Sequence, residues 1–303
     1  MAVEAPLTGA VAARGPLRTS SRKLGELWRA RELLGQLVRK ELKVRYKNSS
    51  LGFLWSMLTP ALMTVVFSIV FTRIVRVPVD DFAAFFLAGY LLWQFFQNSC
   101  QGAIHSVVGN GDLVKKVYFP REVLPLSHVL SQLAHLMLAL LVVSPYLIAT
   151  RGWGLLVHLP ATFLAIALLT VFTSGVAMLL AGVNVIFRDL QELFVVLYLV
   201  WFYATPVLYP MALVEAELAG DPLSWVGTIL RINPMTWFVE AFRTPLYGEV
   251  VVSSSDAARP VLSLLPTWPS LGTVTVMVLW AVGALVIGYV VFLRRARTFA
   301  KEV

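Results

Sequence analysis

The chain has 303 residues, 58% of them hydrophobic and only 14% charged, with a mean hydropathy of +0.76. Soluble domains carry about 25% charged residues, whereas several windows here run for about 20 residues with little or no charge, enough to cross a ~30 Å hydrocarbon core. A soluble fold is excluded and an all-α integral membrane protein is expected; the net charge of +8 follows from basic residues gathered on one side of the membrane and calls for no nucleic acid.

Residues 1–21 carry Ala, Gly and Pro without an apolar signal core, which predicts a disordered tail with no cleavable signal peptide. Within 22–50, the stretch RKLGELWRARELLGQLVRKELKVRYK repeats Leu24, Leu27, Trp28, Leu34, Leu37, Val38 and Leu42 at helical spacing. Its basic residues include Lys43, Arg45 and Lys47, and the pattern predicts an amphipathic helix at the membrane surface. Such a helix serves either as an anchor on anionic headgroups or as a recruiting surface for an anionic, lipid-linked substrate, and spacing alone does not separate the two.

Six spans are then expected within 51–293, at about 51–74, 82–107, 122–149, 155–186, 190–209 and 270–293. Pro60 and Pro206 predict kinks rather than breaks, and Pro125 and Pro145 fall in the third span. Within an external region over about 211–248, LSWVGTIL (223–230) and INPMTWFVEAFRTPLYG (232–248) are apolar but too short or too charged to cross, which predicts half-inserted helices with Glu240 and Arg243 at i, i+3; residues 249–269 read as a loop and 294–303 as a tail. With six spans both termini share a side, which holds 19 of the 25 Lys and Arg residues against 6 on the other. That bias puts both termini in the cytoplasm.

Polar and aromatic residues inside the spans carry the functional signal. Gln94, Asn98, Gln101 and His105 fall at i, i+4, i+7 and i+11 with Tyr90 extending the row, a face suited either to interhelical hydrogen bonds or to a wet cavity. His128, Ser131 and His135 form a second row, read as packing because the same span has no acidic partner. The fifth span sets Phe194, Tyr198, Trp201, Phe202 and Tyr209 on one broad face, and the first adds Phe53, Trp55, Phe67 and Phe71. Aromatic faces suit the C–H faces of sugar rings, although Trp55 and Tyr209 also suit an interfacial belt.

No catalytic signature, metal-spaced Cys/His cluster or G-x-x-x-x-G-K-[ST] loop occurs, and Cys100 is the single cysteine. A non-enzymatic chain without its own cofactor is expected, any ATP-driven work falling to a second subunit. The connection NGDLVKKVYFPREVLPL (110–126) surrounds Val114, Val117, Tyr118 and Phe119 with Asp112, Lys115, Lys116, Arg121 and Glu122, a composition suited to a short helix over about 111–120 pressed into a groove on a partner.

Four segments carry a family resemblance: RYKNSSLGFLWSMLTPALMTVVF (45–67), GDLVKKVYFPREVLPL (111–126), NVIFRDLQELFVVLYLVWFYATPVLYP (184–210) and NPMTWFVEAFRTPLYG (233–248). Together, and in family order, they resemble the membrane subunits of bacterial polysaccharide ABC exporters, the ABC-2 permeases for O-antigen, teichoic acid, cell-wall galactan and related undecaprenyl-diphosphate-linked glycans. The resemblance implies a homodimer in the cytoplasmic (inner) membrane, each subunit docked on a cytoplasmic ATPase that holds ATP and Mg²⁺. It further implies a gate helix ending at Tyr46, channel walls from the first and fifth spans, a re-entrant hairpin over 223–247, and a coupling helix at 111–120. Phe53, Trp55, Tyr198, Trp201 and Phe202 become channel aromatics, with Tyr90, Gln94, Asn98 and Gln101 as further glycan contacts. Lys43, Arg45 and Lys47 become contacts for the lipid diphosphate, and Asp112, Lys115, Lys116, Tyr118, Phe119 and Arg121 contacts for the ATPase. Competing readings are a relative exporting a drug or small lipid, a membrane-embedded glycosyltransferase or protease, for which only Asp112/Glu122 and Asp189/Glu192 approach paired carboxylates, and an ion-coupled transporter, which would need mid-membrane acids.

Overall fold

The computed structural model describes residues 25, 29–47, 54–77, 79–116, 119–252, 261–263, 267–296 and 299. In chain order these form α1 (Arg31–Tyr46), α2 (Leu54–Ile69), α3 (Phe82–Ser106), α4 (Gly111–Lys116), α5 (Val123–Arg151), α6 (Leu159–Asn184), α7 (Leu190–Tyr203), α8 (Met211–Leu218), α9 (Ser224–Ile232), α10 (Pro234–Leu246) and α11 (Leu271–Ala296). Strands β1 (Val250–Val252) and β2 (Val261–Ser263) pair antiparallel inside the stretch expected as a plain loop. Among the described residues, four helices are long and apolar enough to cross a membrane: Met57–Ile74, Val123–Arg151, Trp153–Asn184 and Leu271–Ala296.

The prolines act according to their place in each helix. Pro60 lies inside α2, which continues through it and ends in a π-helical turn, Val70–Ile74. The Thr64 hydroxyl donates back to the carbonyl of Pro60 at 2.7 Å, an i−4 bond that satisfies the hydroxyl where lipid offers no partner. Pro125 sits in the first turn of α5, where its missing N–H removes no helical bond. Pro206 corrects an expectation: rather than kinking the fifth span it follows its end, because α7 stops at Tyr203 and the chain turns through 204–210. A proline ring there would collide with the carbonyl four residues earlier in a continuing helix. The 14 residues of α7 rise only about 21 Å.

Helix α3 is the centre of the bundle, packed by α2, α5, α6, α7 and α10. Phe82, Phe85, Phe86, Leu92, Trp93 and Phe96 are all buried, and α2 clips on through Phe67 against Phe86 and Phe71 stacked on Phe82, each pair with ring centroids 5.1 Å apart. Asp81 caps the helix in a left-handed conformation, accepting from the Ala84 N–H at 3.3 Å and from the Tyr146 hydroxyl at 2.7 Å. At the far end the buried Asn184 amide donates to the Ile104 carbonyl at 2.9 Å, tying α6 to α3.

The closest helix contact is between α6 and α11. A Cβ added at Gly288 would run into the backbone of Gly175, and one at Gly175 into that of Ala284, so the two backbones touch. Without water to drive apolar faces together, such close approach supplies the dispersion that holds membrane helices. Elsewhere the apolar surface is open: Leu54, Trp55, Leu62, Val65 and Val66 on α2 and Val196, Leu199, Val200 and Tyr203 on α7 are all exposed. Gly288→Leu is expected to lower the thermal midpoint of the purified protein, with overpacking of about 1–3 kcal/mol. Gly283→Ala, whose Cβ meets nothing within 4 Å, leaves the midpoint unchanged or raises it in the same fluorescence melt.

Candidate functional site: an aromatic and polar wall with a basic end

The broad face of α7 lies against α3. Tyr198 is 2% exposed, edge-on to Trp93 and Phe96 at 6.3 and 6.1 Å and to Phe194 at 4.2 Å. Trp201 meets Phe96 at 5.1 Å, and Phe202 meets Trp93 at 5.6 Å and Tyr90 at 6.3 Å. Tyr198 is thus enclosed within the chain's own core, while Trp201 and Phe202 are half-buried beside it and Trp55 is exposed on α2. Phe53 lies outside the described residues. Trp93 and Phe96, which complete this ring cluster, were not singled out from the sequence; their position on the helix face turned to α7 is the signal that finds them.

Trp201 is also held by a polar hub. Its indole N–H donates to Asn233 Oδ1 at 2.8 Å, and the same oxygen caps α10 by accepting from the Met235 N–H at 3.0 Å. The Asn233 amide donates in turn to the Ala204 carbonyl and to Thr205 Oγ1, both at 2.9 Å. One side chain therefore closes the open end of α7 and starts α10. The Asn233-Pro234 pair, a cap followed by proline at the first helical position, was the available sequence sign.

Arg243 fixes the same corner. It is buried, donates from Nη2 to the carbonyls of Pro206 and Val207 at 2.8 and 3.3 Å, and lies 3.7 Å over the Phe85 ring. Gly89 makes room, since a Cβ there would sit 2.7 Å from Nη2. Burial pulls the guanidinium down, to about 10, against the opposing charge of Glu240.

The polar row of α3 occupies the face between its contacts with α5 and those with α2 and α7. Tyr90, Gln94, Asn98 and Gln101 are half-exposed and His105 is exposed. The side chains of Gln94, Asn98 and Gln101 make no hydrogen bond among the described residues, whereas neighbouring Gln97 accepts from the Trp93 indole at 3.2 Å. For the second row the structure supplies an acidic partner from another element, with Glu41 of α1 3.7 Å from His128 Nδ1. His135 lies within electrostatic reach of Arg45. Helix α1 thus lies along α5, and Lys43, Arg45 and Lys47 at its end are each exposed.

The basic end carries the connection after α3. Val114 and Phe119 turn inward, joining Leu37, Val107, Phe292 and Phe299 in a second core, so Phe119 is 9% exposed. Arg121 donates to the Ala296 carbonyl and lies 5.9 Å over the Phe299 ring. What remains outward is Asp112, Lys115 and Lys116, with Asp112 and Lys116 3.7 Å apart at i, i+4; Tyr118 lies outside the described residues. Replacing Asn233 by Ala is expected to lower the thermal midpoint, with about 1–3 kcal/mol lost as the buried partners go unpaired. The Trp201 emission spectrum, isolated in a variant holding no other Trp, shifts with it.

Residues 32–247 match the family model described as ABC-2 type transporter. The O-antigen export system permease protein RfbA of Myxococcus xanthus is 32% identical over 282 residues, covering 93% of this chain and 99% of that protein. The protein of the same name from Klebsiella pneumoniae is 31% identical over 70% of this chain and 79% of its own length. The capsule polysaccharide export inner-membrane protein CtrC of Neisseria meningitidis serogroup B is 26% identical over 74% of this chain and 82% of its own.

Proposed function

This chain belongs to the ABC-2 type transporter membrane family, and from that premise we propose that it is the permease subunit of an ATP-driven polysaccharide exporter, moving an undecaprenyl-diphosphate-linked glycan across the bacterial cytoplasmic membrane. The observation that carries the reading is the α3 row. Three side-chain amides and a tyrosine, half-exposed and flanked by aromatic rings, suit sugar hydroxyls far better than acyl chains. The amides offer both donors and acceptors, and the rings flat C–H contacts, so a polymer is held weakly at many points and slides.

On this proposal the six spans are α2, α3, α5, α6, α7 and α11, with both termini cytoplasmic. Helix α3 is admitted although it is more polar than the others, because protein rather than lipid surrounds it, and α7 is completed by the 204–210 turn and its cap at Asn233. Helices α8 to α10 are the half-inserted outer segments. The exposed apolar faces of α2 and α7 meet a second copy, and Phe53, Trp55, Trp201 and Phe202 border the route between copies, with Tyr198 backing that wall from inside. Lys43, Arg45 and Lys47 receive the lipid diphosphate as it approaches along α1; lysine and arginine heads suit phosphate as charged donors.

The partner ATPase contacts Asp112, Lys115 and Lys116, the outward groups of the connection. Phe119 and Arg121 would act from beneath, passing movement to α11 through Ala296 and Phe299. A drug-exporting relative has no use for a row of amides, and the relatives named for O-antigen and capsule export favour a glycan.

Converting Gln94, Asn98 and Gln101 together to Leu is expected to cut surface polysaccharide at least ~10-fold, the loss of about 1.4 kcal/mol or more of contact, with membrane levels of the protein unchanged. Undiminished glycan on immunoblots of that strain would remove the route from this face. Lys115→Glu with Lys116→Glu is expected to reduce the ATPase that copurifies in detergent, and more so at low salt, where these exposed charges are least screened.

A further inference from the structure

The end of the bundle opposite α1 and the close of α11 holds a cavity of about 350 Å³, bordered by α8, α9, α10, β1 and the approach to α11. Its size falls in the range in which proteins hold small ligands. Glu215, Arg231, Glu240, Arg243, Glu249 and Trp268 contribute to its wall. None of these groups belongs to the aromatic and polar wall described above except Arg243, which links the two.

Several of these groups have capacity left over. Glu215 and Arg231 form an ion pair at the rim, but the Glu240 side chain makes no hydrogen bond or ion pair among the described residues. Arg243 is 4% exposed, and although Nη2 serves two carbonyls its buried Nε–H has no acceptor. Trp268, by contrast, is 54% exposed, its ring 6.1 Å from that of His158.

A flat exposed ring and a carboxylate with no hydrogen-bond partner, on the wall of one cavity, match a pyranose, whose C–H face stacks on indole while a hydroxyl of its rim donates to the carboxylate. A lone cation would have to sit among two guanidinium groups, and an apolar ligand would leave the Glu240 carboxylate without a partner. We propose that this cavity binds one saccharide unit of the glycan on the outer face of the membrane, beside the translocation route. The inference rests on the exporter reading and its orientation. Through Arg243 and the Pro206 and Val207 carbonyls, an occupied cavity would stiffen the outer end of α7.

The test uses the permease–ATPase complex in nanodiscs and, as probe, one repeat unit of the host's surface polysaccharide freed of lipid and diphosphate. Saturation-transfer NMR is expected to show magnetisation passing to the sugar C–H protons. The signal should fall about five-fold, equivalent to roughly 1 kcal/mol, in both Trp268→Ala and Glu240→Gln, and stay unchanged in Trp153→Ala, another exposed tryptophan. No signal from the wild-type complex, or equal signals from wild type and both variants, would overturn the site. Surface glycan measured in a deletion strain separates the two ideas: if glycan is lost and the wild-type gene restores it while the NMR signal ignores both substitutions, the exporter reading stands and the outer site falls. If deletion leaves surface glycan intact, the exporter reading falls and takes the site with it.

Discussion

A helix too polar for lipid has to be wrapped by other helices, and α3 is that helix. Its row of Tyr90, Gln94, Asn98 and Gln101 would be costly against acyl chains, while its remaining faces carry Phe82, Phe85, Phe86, Trp93 and Phe96, each large enough to organise a contact. The bundle arranges itself accordingly. Aromatic faces take α2 and α7, Phe96 also stacks on Phe172 of α6 at 5.8 Å, and Gly89 admits Arg243 from α10. The more apolar α2 and α11, which lipid tolerates, stay at the periphery with much of their surface open.

The same constraint explains the polar joints. Where helices end within the bundle, backbone groups find side-chain partners instead of water. Asn184 closes on Ile104, Asn233 on Ala204, and Arg243 on Pro206 and Val207. These joints gather at the ends of α3, α7 and α10, so a movement of α7 is felt at α10 through Asn233 and Arg243 together. At the opposite end Arg121 performs a similar service between the connection after α3 and the end of α11. Both ends of the molecule are thus wired by single side chains across long sequence separations.

Much of this was legible in the chain itself. Hydropathy pointed to an all-helical membrane protein, and among the described residues four helices are long and apolar enough to cross, because a window of about 20 uncharged residues has few other uses. The 211–248 stretch broke into short helices as its charges required. Two features escaped. Pro206 follows the end of a helix instead of bending one, a choice made by Asn233 capturing the freed carbonyl of Ala204 from nearly thirty residues away. The paired strands Val250–Val252 and Val261–Ser263 depend on a return of the chain that local pattern does not encode.

By itself the sequence determined the class of protein, the places where helices run, and which residues share a face, since these follow from the transfer free energy of each window and the period of the helix. Tertiary structure alone decided what each face meets. Tyr198 shares its face with Trp201, yet packing against Trp93 and Phe96 enclosed one and left the other half-open. Phe119, written as part of an outward segment, turned in toward Phe299, and Glu41 came to His128 from a separate helix. Glu215, Arg231, Glu240 and Trp268 became one cavity only when four elements converged. The physical reason is common to all of them: burial and pairing are properties of neighbours far apart in the chain, and a residue's own polarity says that it needs a partner without saying which.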